Sequence, residues 1–254
     1  LYVKRDKGPL STDANTVLRG FAGTARTVVM LDGHPINDSY SSSVDWLGLP
    51  VDEVESVEVA RGPFSSLYGG NAMGGVINVR TRPVTGRQFE FRGEHGTYNT
   101  DHFSVRYNDR FWEKLGVSLG YQRLQSRGYA SRIITVTPST GTAGTLVSGA
   151  VPSFSTAGAP VTIIGTSGEN WARQHAYRAK GEYAFSKSTI ASVQYVRQYY
   201  STAYAGFHSA LIDAGGNSVY NGTFLFNNNG TLQRLTVTPL NFLQAPVESN
   251  SHFT

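Results

Sequence analysis

Long stretches in which apolar and polar residues alternate dominate the sequence after residue 88. In one of them, Phe103, Val105 and Tyr107 are separated by Ser104 and Arg106. Because successive side chains of a strand point to opposite faces, each stretch has one apolar and one polar face. The same pattern predicts about five antiparallel strands, of a transmembrane barrel or of a soluble β-sandwich, which begin near Phe89, Phe103, Leu115, Tyr177 and Ala191. We expect Phe103, Val117, Tyr177 and Val193 to point outward, and Arg106, Ser118, Arg178 and Ser192 to point inward.

The connections between these stretches differ in length. Short turns at 109–114 and 185–188 alternate with two long segments, about 126–170 and 201–254. Short turns at one end, long loops at the other and aromatic residues near the strand ends are typical of bacterial outer-membrane barrels. A soluble β-sandwich has the same alternation, so the unequal connections are what favours the barrel.

Composition and motifs exclude several function classes. The 254 residues include no cysteine, which rules out a disulfide scaffold and thiolate metal sites. No apolar run approaches the roughly 18 residues of a membrane-spanning helix. The 22 basic and 18 acidic residues are dispersed, so we expect no nucleic-acid partner. The six histidines form no His-Glu-x-x-His motif and no Gly-x-Ser-x-Gly occurs, so we expect no catalytic residue, no metal site and no cofactor.

The first 84 residues have a different pattern. Thr27–Leu31 predicts a buried strand that ends at Asp32-Gly33, and residues 56–60 predict another that ends at Gly62-Pro63. One helical turn is expected at residues 50–54. The sequence therefore predicts a small α+β domain at 1–84, followed by barrel strands with long loops at 85–254.

Four motifs in this first domain carry a family resemblance. They are Val17-Leu18-Arg19-Gly20-Phe21, Val28-Val29-Met30-Leu31-Asp32-Gly33, Val57-Glu58-Val59-Ala60-Arg61-Gly62-Pro63 and the glycine-rich stretch from Leu67 to Val79. In order and spacing they closely resemble the plug domain of TonB-dependent outer-membrane receptors. The resemblance covers residues 1–84 by motif and 85–254 by pattern.

The resemblance implies a plug inside a 22-stranded barrel in the outer membrane of a Gram-negative bacterium. It implies import of a scarce small-molecule nutrient, energised by TonB of the inner-membrane complex, with outer-membrane lipid and lipopolysaccharide around the barrel. An iron-siderophore complex is the first expectation, because that substrate class dominates the family. Cobalamin, another metal complex or a glycan would need the same plug.

Two features depart from the family pattern. We expect the chain to lack the N-terminal segment that TonB contacts, and to end within the third long extracellular loop. About seventeen strands would then come from further sequence. About five strands cannot close a barrel, so transport by these residues alone is excluded.

The resemblance also assigns site residues. Arg19 and Arg61 match plug arginines that pair with barrel glutamates, which would form an ionic lock with partners beyond residue 254. The ligand would meet the tip of the plug at Asn37, Asp38, Ser39, Tyr40, Ser41, Ser42 and Ser43, where hydroxyls and one ring make an adaptable polar surface. A solvated loop and exposed arginines are the alternative interpretations.

Two further sets of residues complete the candidate sites. Gly69, Gly70, Gly74 and Gly75 would permit close packing of the plug, since their spacing does not match a phosphate-binding loop. Tyr199, Tyr200, Tyr204 and Phe207 would line the vestibule or belong to the aromatic girdle. A soluble all-β carbohydrate-binding protein and an outer-membrane hydrolase remain open as other function classes.

Overall fold

The computed structural model describes residues 2–4, 15–18, 26–38, 41–69, 71–186, 188–244 and 246–253, and strands are the main element. The chain divides into two compact units. The first comprises residues 1–126, 173–200 and 249–254, and the second comprises 127–172 and 201–248. Among the described residues, no helix has the length and apolar character to cross a membrane.

The N-terminal region of the first unit, residues 1–84, contains short strands and single helical turns. The strands are β1 (Tyr2–Lys4), β2 (Asn15–Val17), β3 (Thr27–Leu31), β4 (His34–Pro35), β5 (Val54–Arg61) and β6 (Gly75–Thr81). Two 3-10 turns, Trp46–Gly48 and Val51–Glu53, and the one-turn helix α1 (Ser65–Tyr68) lie between them. The expected strands at 27–31 and 56–60 and the helical turn near residue 50 are therefore confirmed.

A mixed four-stranded sheet organises this region, in the order β4-β3-β6-β5. β3 is parallel to β6, and β5 is antiparallel to β6. The all-apolar centre of β3 is explained by burial on both faces: Val29 and Leu31 pack in one cluster, whereas Val28 and Met30 pack in another. The turn after β3 needs positive φ at two positions, which Asp32 (51°) and Gly33 (86°) supply.

Thirteen further strands follow the N-terminal region. They are β7 (Gln88–Gly96), β8 (Thr100–Phe111), β9 (Leu115–Ser126), β10 (Ile133–Val136), β11 (Thr145–Leu146), β12 (Val151–Phe154), β13 (Pro160–Thr166), β14 (Glu169–Ala184), β15 (Ile190–Ala205), β16 (His208–Ser209), β17 (Gly222–Asn228), β18 (Thr231–Val237) and β19 (Val247–Phe253).

The five longest strands and β19 form one six-stranded sheet in the order β19-β15-β14-β9-β8-β7. β8 pairs with β7 and β9 in antiparallel register over most of its length. Five of the six strands are the ones that alternation predicts. The sixth, β19, corrects the expectation that the chain ends within a loop: residues 247–253 pair with the edge of β15. Their sequence has too few apolar residues to reveal this pairing.

The two long segments between the sheet strands are also more ordered than the sequence suggests. One small sheet is built around β13, which pairs with β10, β12 and β16; the other has the order β11-β17-β18. The second unit has its own core, with Ile164, Leu211 and Leu235 fully buried. Short strands and scattered apolar residues concealed this unit, because no stretch of it has a long alternating pattern.

Candidate functional site

The six-stranded sheet contacts the N-terminal region through its polar face. Arg106 and Arg178 are buried on this face, whereas Phe103, Tyr177 and Val193 are exposed on the other. Alternation along each strand explains this division, because adjacent side chains point to opposite faces. The expected inward and outward orientation of these residues is therefore confirmed.

An ion pair between Glu53 and Arg178 lies at the centre of this contact. The Arg178 Nη2 atom is 3.0 Å from the Glu53 Oε1 atom, and the two side chains are only 9% and 12% exposed. Arg178 Nε and Nη1 have no hydrogen-bond partner among the described residues. Gly120 on β9 leaves room for the pair, since a Cβ there would be 3.3 Å from the Glu53 carboxylate. The pair is thus buried and tightly enclosed.

A second ionic cluster joins β14 to the turn after β3. Lys180 Nζ lies 3.1 Å from Asp32 Oδ2 and 2.8 Å from Glu182 Oε1, with all three side chains at least four-fifths buried. Asp32 also accepts hydrogen bonds from the backbone N–H and the hydroxyl of Thr81, at 2.7 and 2.6 Å. One carboxylate therefore fixes the turn to the end of β6 and to a barrel-type strand.

A cavity of about 410 Å³ lies beside the Glu53–Arg178 pair. Its charged lining consists of Asp52, Glu53, Glu90, Arg92, Arg106 and Arg178. Arg92 forms an ion pair with Asp52, and Arg106 forms one with Glu90. The acids from the 3-10 turn thus face basic residues from the sheet, so the electrostatics favour contact between the two.

One hydrogen bond and one close packing contact extend the interface to β9 and β15. Gln122 Nε2 donates a hydrogen bond to the Leu47 carbonyl at 3.2 Å. Gly48 packs against Gln198 so closely that a Cβ at residue 48 would lie 1.3 Å from the Gln198 Nε2 atom. A side chain at this position would require Gln198 to move.

The expected ionic-lock arginines are not part of these contacts. Arg61, at the end of β5, is exposed, and it forms no ion pair with any described residue. Arg19 lies outside the described residues. Because their expected partners follow residue 254, the assignment of both stays a prediction.

The expected ligand loop is held by its own hydrogen bonds. The Asn37 side chain accepts from the Val29 N–H and donates to the carbonyls of Thr27 and Ser42, which ties the loop to β3. The Asp38 carboxylate accepts from the N–H and hydroxyl of Ser41 at 2.7 and 2.8 Å. Ser41 and Ser43 hydroxyls lie 2.7 Å apart, while Ser39 and Tyr40 lie outside the described residues. Asn37 therefore has a structural role in addition to any contact with a ligand.

The four candidate vestibule aromatics do not share one environment. Tyr199 is 38% exposed, while the neighbouring Tyr200 is 8% exposed, as expected for opposite faces of β15. Tyr204 is half-buried. Phe207 packs edge-on against Tyr220 in the second unit, with ring centroids 5.7 Å apart. Phe207 therefore belongs to an aromatic cluster with Tyr220 and Phe242.

The candidate packing glycines lie where strands of the N-terminal region meet. A Cβ at Gly75 would be 2.4 Å from the Ala60 carbonyl oxygen, and one at Gly74 would be 2.9 Å from that of Arg26. Gly69 has open space but a φ of 80°. Gly70 lies outside the described residues. These close backbone contacts lie within the four-stranded sheet of the N-terminal region and in the turn that precedes β6.

Two histidines of the described residues each contact one acidic side chain. His95 Nδ1 is 2.7 Å from Asp101 Oδ1, whereas His102 Nδ1 is 3.2 Å from Glu94 Oε2. Within the described part of the chain, no group of three or more potential metal-ligating residues occurs.

Comparison with known families identifies the N-terminal region. Residues 3–76 match the model of the TonB-dependent receptor plug domain. The N-terminal region is therefore a plug domain of the TonB-dependent receptor family. TonB-dependent receptors are outer-membrane proteins of Gram-negative bacteria, and the long antiparallel strands that follow the plug domain have the alternating pattern of barrel strands.

Individual relatives agree with this assignment. The receptor is 33% identical over 135 residues to the vitamin B12 transporter BtuB of Vibrio vulnificus, a match that covers 52% of the chain and 21% of that transporter. It is 36% identical over 80 residues to the ferric enterobactin receptor PirA of Pseudomonas aeruginosa, covering 28% of the chain and 11% of that receptor. The chain thus spans about a fifth or less of the length of these relatives.

A solved structure is also similar. The crystal structure of the ferric enterobactin receptor PfeA of Pseudomonas aeruginosa in complex with enterobactin is 16% identical, with a TM-score of 0.49. The similarity covers 81% of this chain and 30% of that one.

Sequence reasoning missed the ion pairs of the plug with β14. Their signal is nevertheless present: Arg178, Lys180 and Glu182 recur at every second position, and Asp52-Glu53 forms an acidic turn. Charged residues on the inner face of a barrel strand require a partner or water. A search for acidic plug residues could therefore have found the interface.

Proposed function

We propose that residues 1–84 are the plug and residues 85–254 the first barrel strands of a receptor that imports a scarce nutrient, with an iron-siderophore complex as the substrate. The buried contact of plug acids with β14 carries this proposal, because it joins a plug to the polar face of barrel strands. Relatives named as ferric enterobactin receptors support the substrate class. TonB of the inner-membrane complex would supply the energy.

The ionic contacts support a specific role for the interface. Glu53–Arg178 and Asp32–Lys180 would hold the plug against the barrel when no ligand is bound. Arg19 and Arg61 would add a lock with later strands, and residues 37–43 would meet the ligand. Tyr199, Tyr200, Tyr204 and Phe207 would guide the ligand from outside.

Cobalamin is the second candidate substrate. The match to the vitamin B12 transporter covers more of the chain than the match to the ferric enterobactin receptor PirA, 52% against 28%. The longer match is the observation that favours this candidate.

Binding to the full-length receptor distinguishes the two substrates. We expect purified full-length receptor to bind ferric enterobactin with at least a tenfold lower Kd than cyanocobalamin, and to support growth under iron limitation. Tighter binding of cyanocobalamin than of ferric enterobactin would make cobalamin, and not an iron-siderophore complex, the proposed substrate. No binding of any iron chelate, cobalamin or glycan would contradict nutrient import.

A further inference from the structure

The outer face of the barrel strands has a row of aromatic rings. Phe91 and Phe103 meet edge-on at 5.2 Å, and Tyr121 lies 6.2 Å from Phe103 and 5.0 Å from Tyr177. The row crosses β7, β8, β9 and β14, and its members point away from the plug. It provides a continuous apolar surface for acyl chains.

Three arginines lie along one side of this row. Arg123 is opposite Phe103 in the ladder of β8 and β9. Arg123 and Arg173 are both within electrostatic range of His175, whose ring stacks on Tyr121 with centroids 6.1 Å apart. The side of β9 and β14 that carries the rings thus also carries two guanidinium groups.

Arg197 brings a third guanidinium to the same place. A short turn joins β14 to β15, with the Phe185 N–H donating to the Thr189 carbonyl, so the two strands are antiparallel. Gly181 faces Val193. In this register Tyr177, four residues before Gly181, lies beside Arg197, four residues after Val193. Arg197 is exposed between the buried Val196 and Gln198.

Few acidic groups compensate these charges. Arg123 Nη2 donates to Gln125 Oε1 at 2.7 Å, and the nearby Asp101 carboxylate already accepts from Gln125 and contacts His95. Arg173 and Arg197 are exposed and form no ion pair with any residue that the structure describes. The patch therefore has unpaired positive charge.

The patch lies at the extracellular end of the strands. Arg123 is close to the end of β9 that leads into a long segment, whereas Leu115 follows the short turn at the periplasmic end. Eight residues separate the two, which corresponds to roughly 20 Å along the membrane normal at a tilt of about 40°. This distance approaches the roughly 25 Å height of the apolar band, so the guanidinium groups reach the outer headgroups.

We propose that Arg123, Arg173 and Arg197 bind the phosphate groups of a phosphorylated glycolipid of the outer leaflet. Arginine suits this ligand, because its planar guanidinium donates two parallel hydrogen bonds to one phosphate. The acyl chains would lie along Phe103, Tyr121 and Tyr177. The inference rests on the outer-membrane location and is independent of the nutrient that the receptor imports.

Lipid titration of the full-length receptor, followed by native mass spectrometry, tests the site. The probes are bisphosphorylated lipid A and the same lipid after enzymatic removal of both phosphates. The variant replaces Arg123, Arg173 and Arg197 by Gln. The control is Lys114→Gln, which removes one exposed positive charge at the periplasmic end. We expect the variant to lose at least tenfold in affinity for bisphosphorylated lipid A, and the control to stay within twofold of wild type.

The other arms separate the glycolipid from other lipids. Removal of the phosphates should weaken binding to the wild-type receptor at least tenfold and leave binding to the variant unchanged. Retention of wild-type affinity by the variant would overturn the proposal, as would equal binding of phosphatidylglycerol. If the triple variant does not fold, each single Arg→Gln variant should still lose at least twofold in affinity for bisphosphorylated lipid A. Unchanged affinity in all three single variants would also overturn the proposal.

Discussion

Removal of one partner from the Glu53–Arg178 pair is expected to loosen the plug. Glu53→Gln leaves the Arg178 guanidinium buried, with two of its nitrogens already lacking partners among the described residues. An uncompensated charge at such a buried site costs about 3 to 5 kcal/mol. Because both side chains are almost fully buried at 3.0 Å, little screening by solvent reduces this figure.

Hydrogen exchange in the full-length receptor measures this loss. The amides of β6 are protected by pairing with β3 and β5, so they exchange when the plug sheet opens. A loss of 3 to 5 kcal/mol corresponds to exchange about 10² to several 10³ times faster, at a factor of ten per 1.4 kcal/mol.

The double variant Glu53→Leu with Arg178→Met is the matched control. It removes both charges and fills the space with apolar groups of similar size, which is expected to return the opening free energy to within about 1.5 kcal/mol of wild type. Exchange within threefold of wild type in Glu53→Gln alone would refute the reasoning. Equal acceleration in the single and double variants would show that the charge left unpaired on Arg178 is not what loosens the plug.

Four further predictions follow from the interface and the plug. Lys180→Met should speed hydrogen exchange of the Thr81 amide at least tenfold, because two buried carboxylates lose their cation. Unchanged exchange would show that Lys180 does not hold Asp32 and the end of β6 in place. Hydrogen bonds from Arg80 and Asn78 lower the pKa of Glu58 below its ordinary 4.5. The contribution of Glu58 to stability is therefore present above pH 4.5 and is lost as the pH falls through the folded pKa. The free energies of unfolding of wild type and Glu58→Gln, measured with urea between pH 7 and 3, should converge at low pH. Gly75→Ala should destabilise the plug by about 1 to 3 kcal/mol in the exchange assay, whereas Gly69→Ala, which meets no atom, should cost less. Tyr40→Ala with Ser41→Ala should weaken ferric enterobactin binding, each lost hydrogen bond costing about 0.5 to 1.5 kcal/mol. Arg61→Ala should leave the Kd for ferric enterobactin within threefold of wild type and alter uptake. If Arg61→Ala lost as much affinity as the double variant, Arg61 would belong to the binding site.

Regular features of the fold could be predicted from the sequence. Five of the six strands of the large sheet have largely alternating apolar and polar residues, and Val28 to Leu31 are all apolar because β3 is buried on both faces. β19 could not be predicted, since it joins the sheet by backbone pairing with β15 and only Val247 and Phe253 are apolar. The second unit was missed for a related reason: its buried residues, such as Ile164 and Leu235, come from short strands far apart in sequence.

The candidate site was predictable only in part. The inward position of Arg178 follows from its place in an alternating strand, but its partner Glu53 is 125 residues away. Alternation fixes the face of a residue and leaves its long-range partner open. Asn37 shows that a polar residue in a loop can have a structural role that the sequence does not reveal. The polar composition of its loop suggests ligand contact, whereas the Asn37 side-chain amide forms hydrogen bonds with three backbone groups.

The discontinuous sequence of the second unit has a consequence for the order of folding. Its core needs residues from both 127–172 and 201–248, and the turn-linked strands of 173–200 separate them. Closing a flexible loop of roughly 30 residues costs about 3 kcal/mol in chain entropy. Prior formation of the β14–β15 hairpin removes most of this cost, because it brings Ala172 and Ser201 together before the core assembles. Folding of the second unit should therefore be coupled in time to hairpin formation, and a substitution that slows the turn at Phe185–Thr189 should delay burial of Leu211 and Leu235 by the same factor.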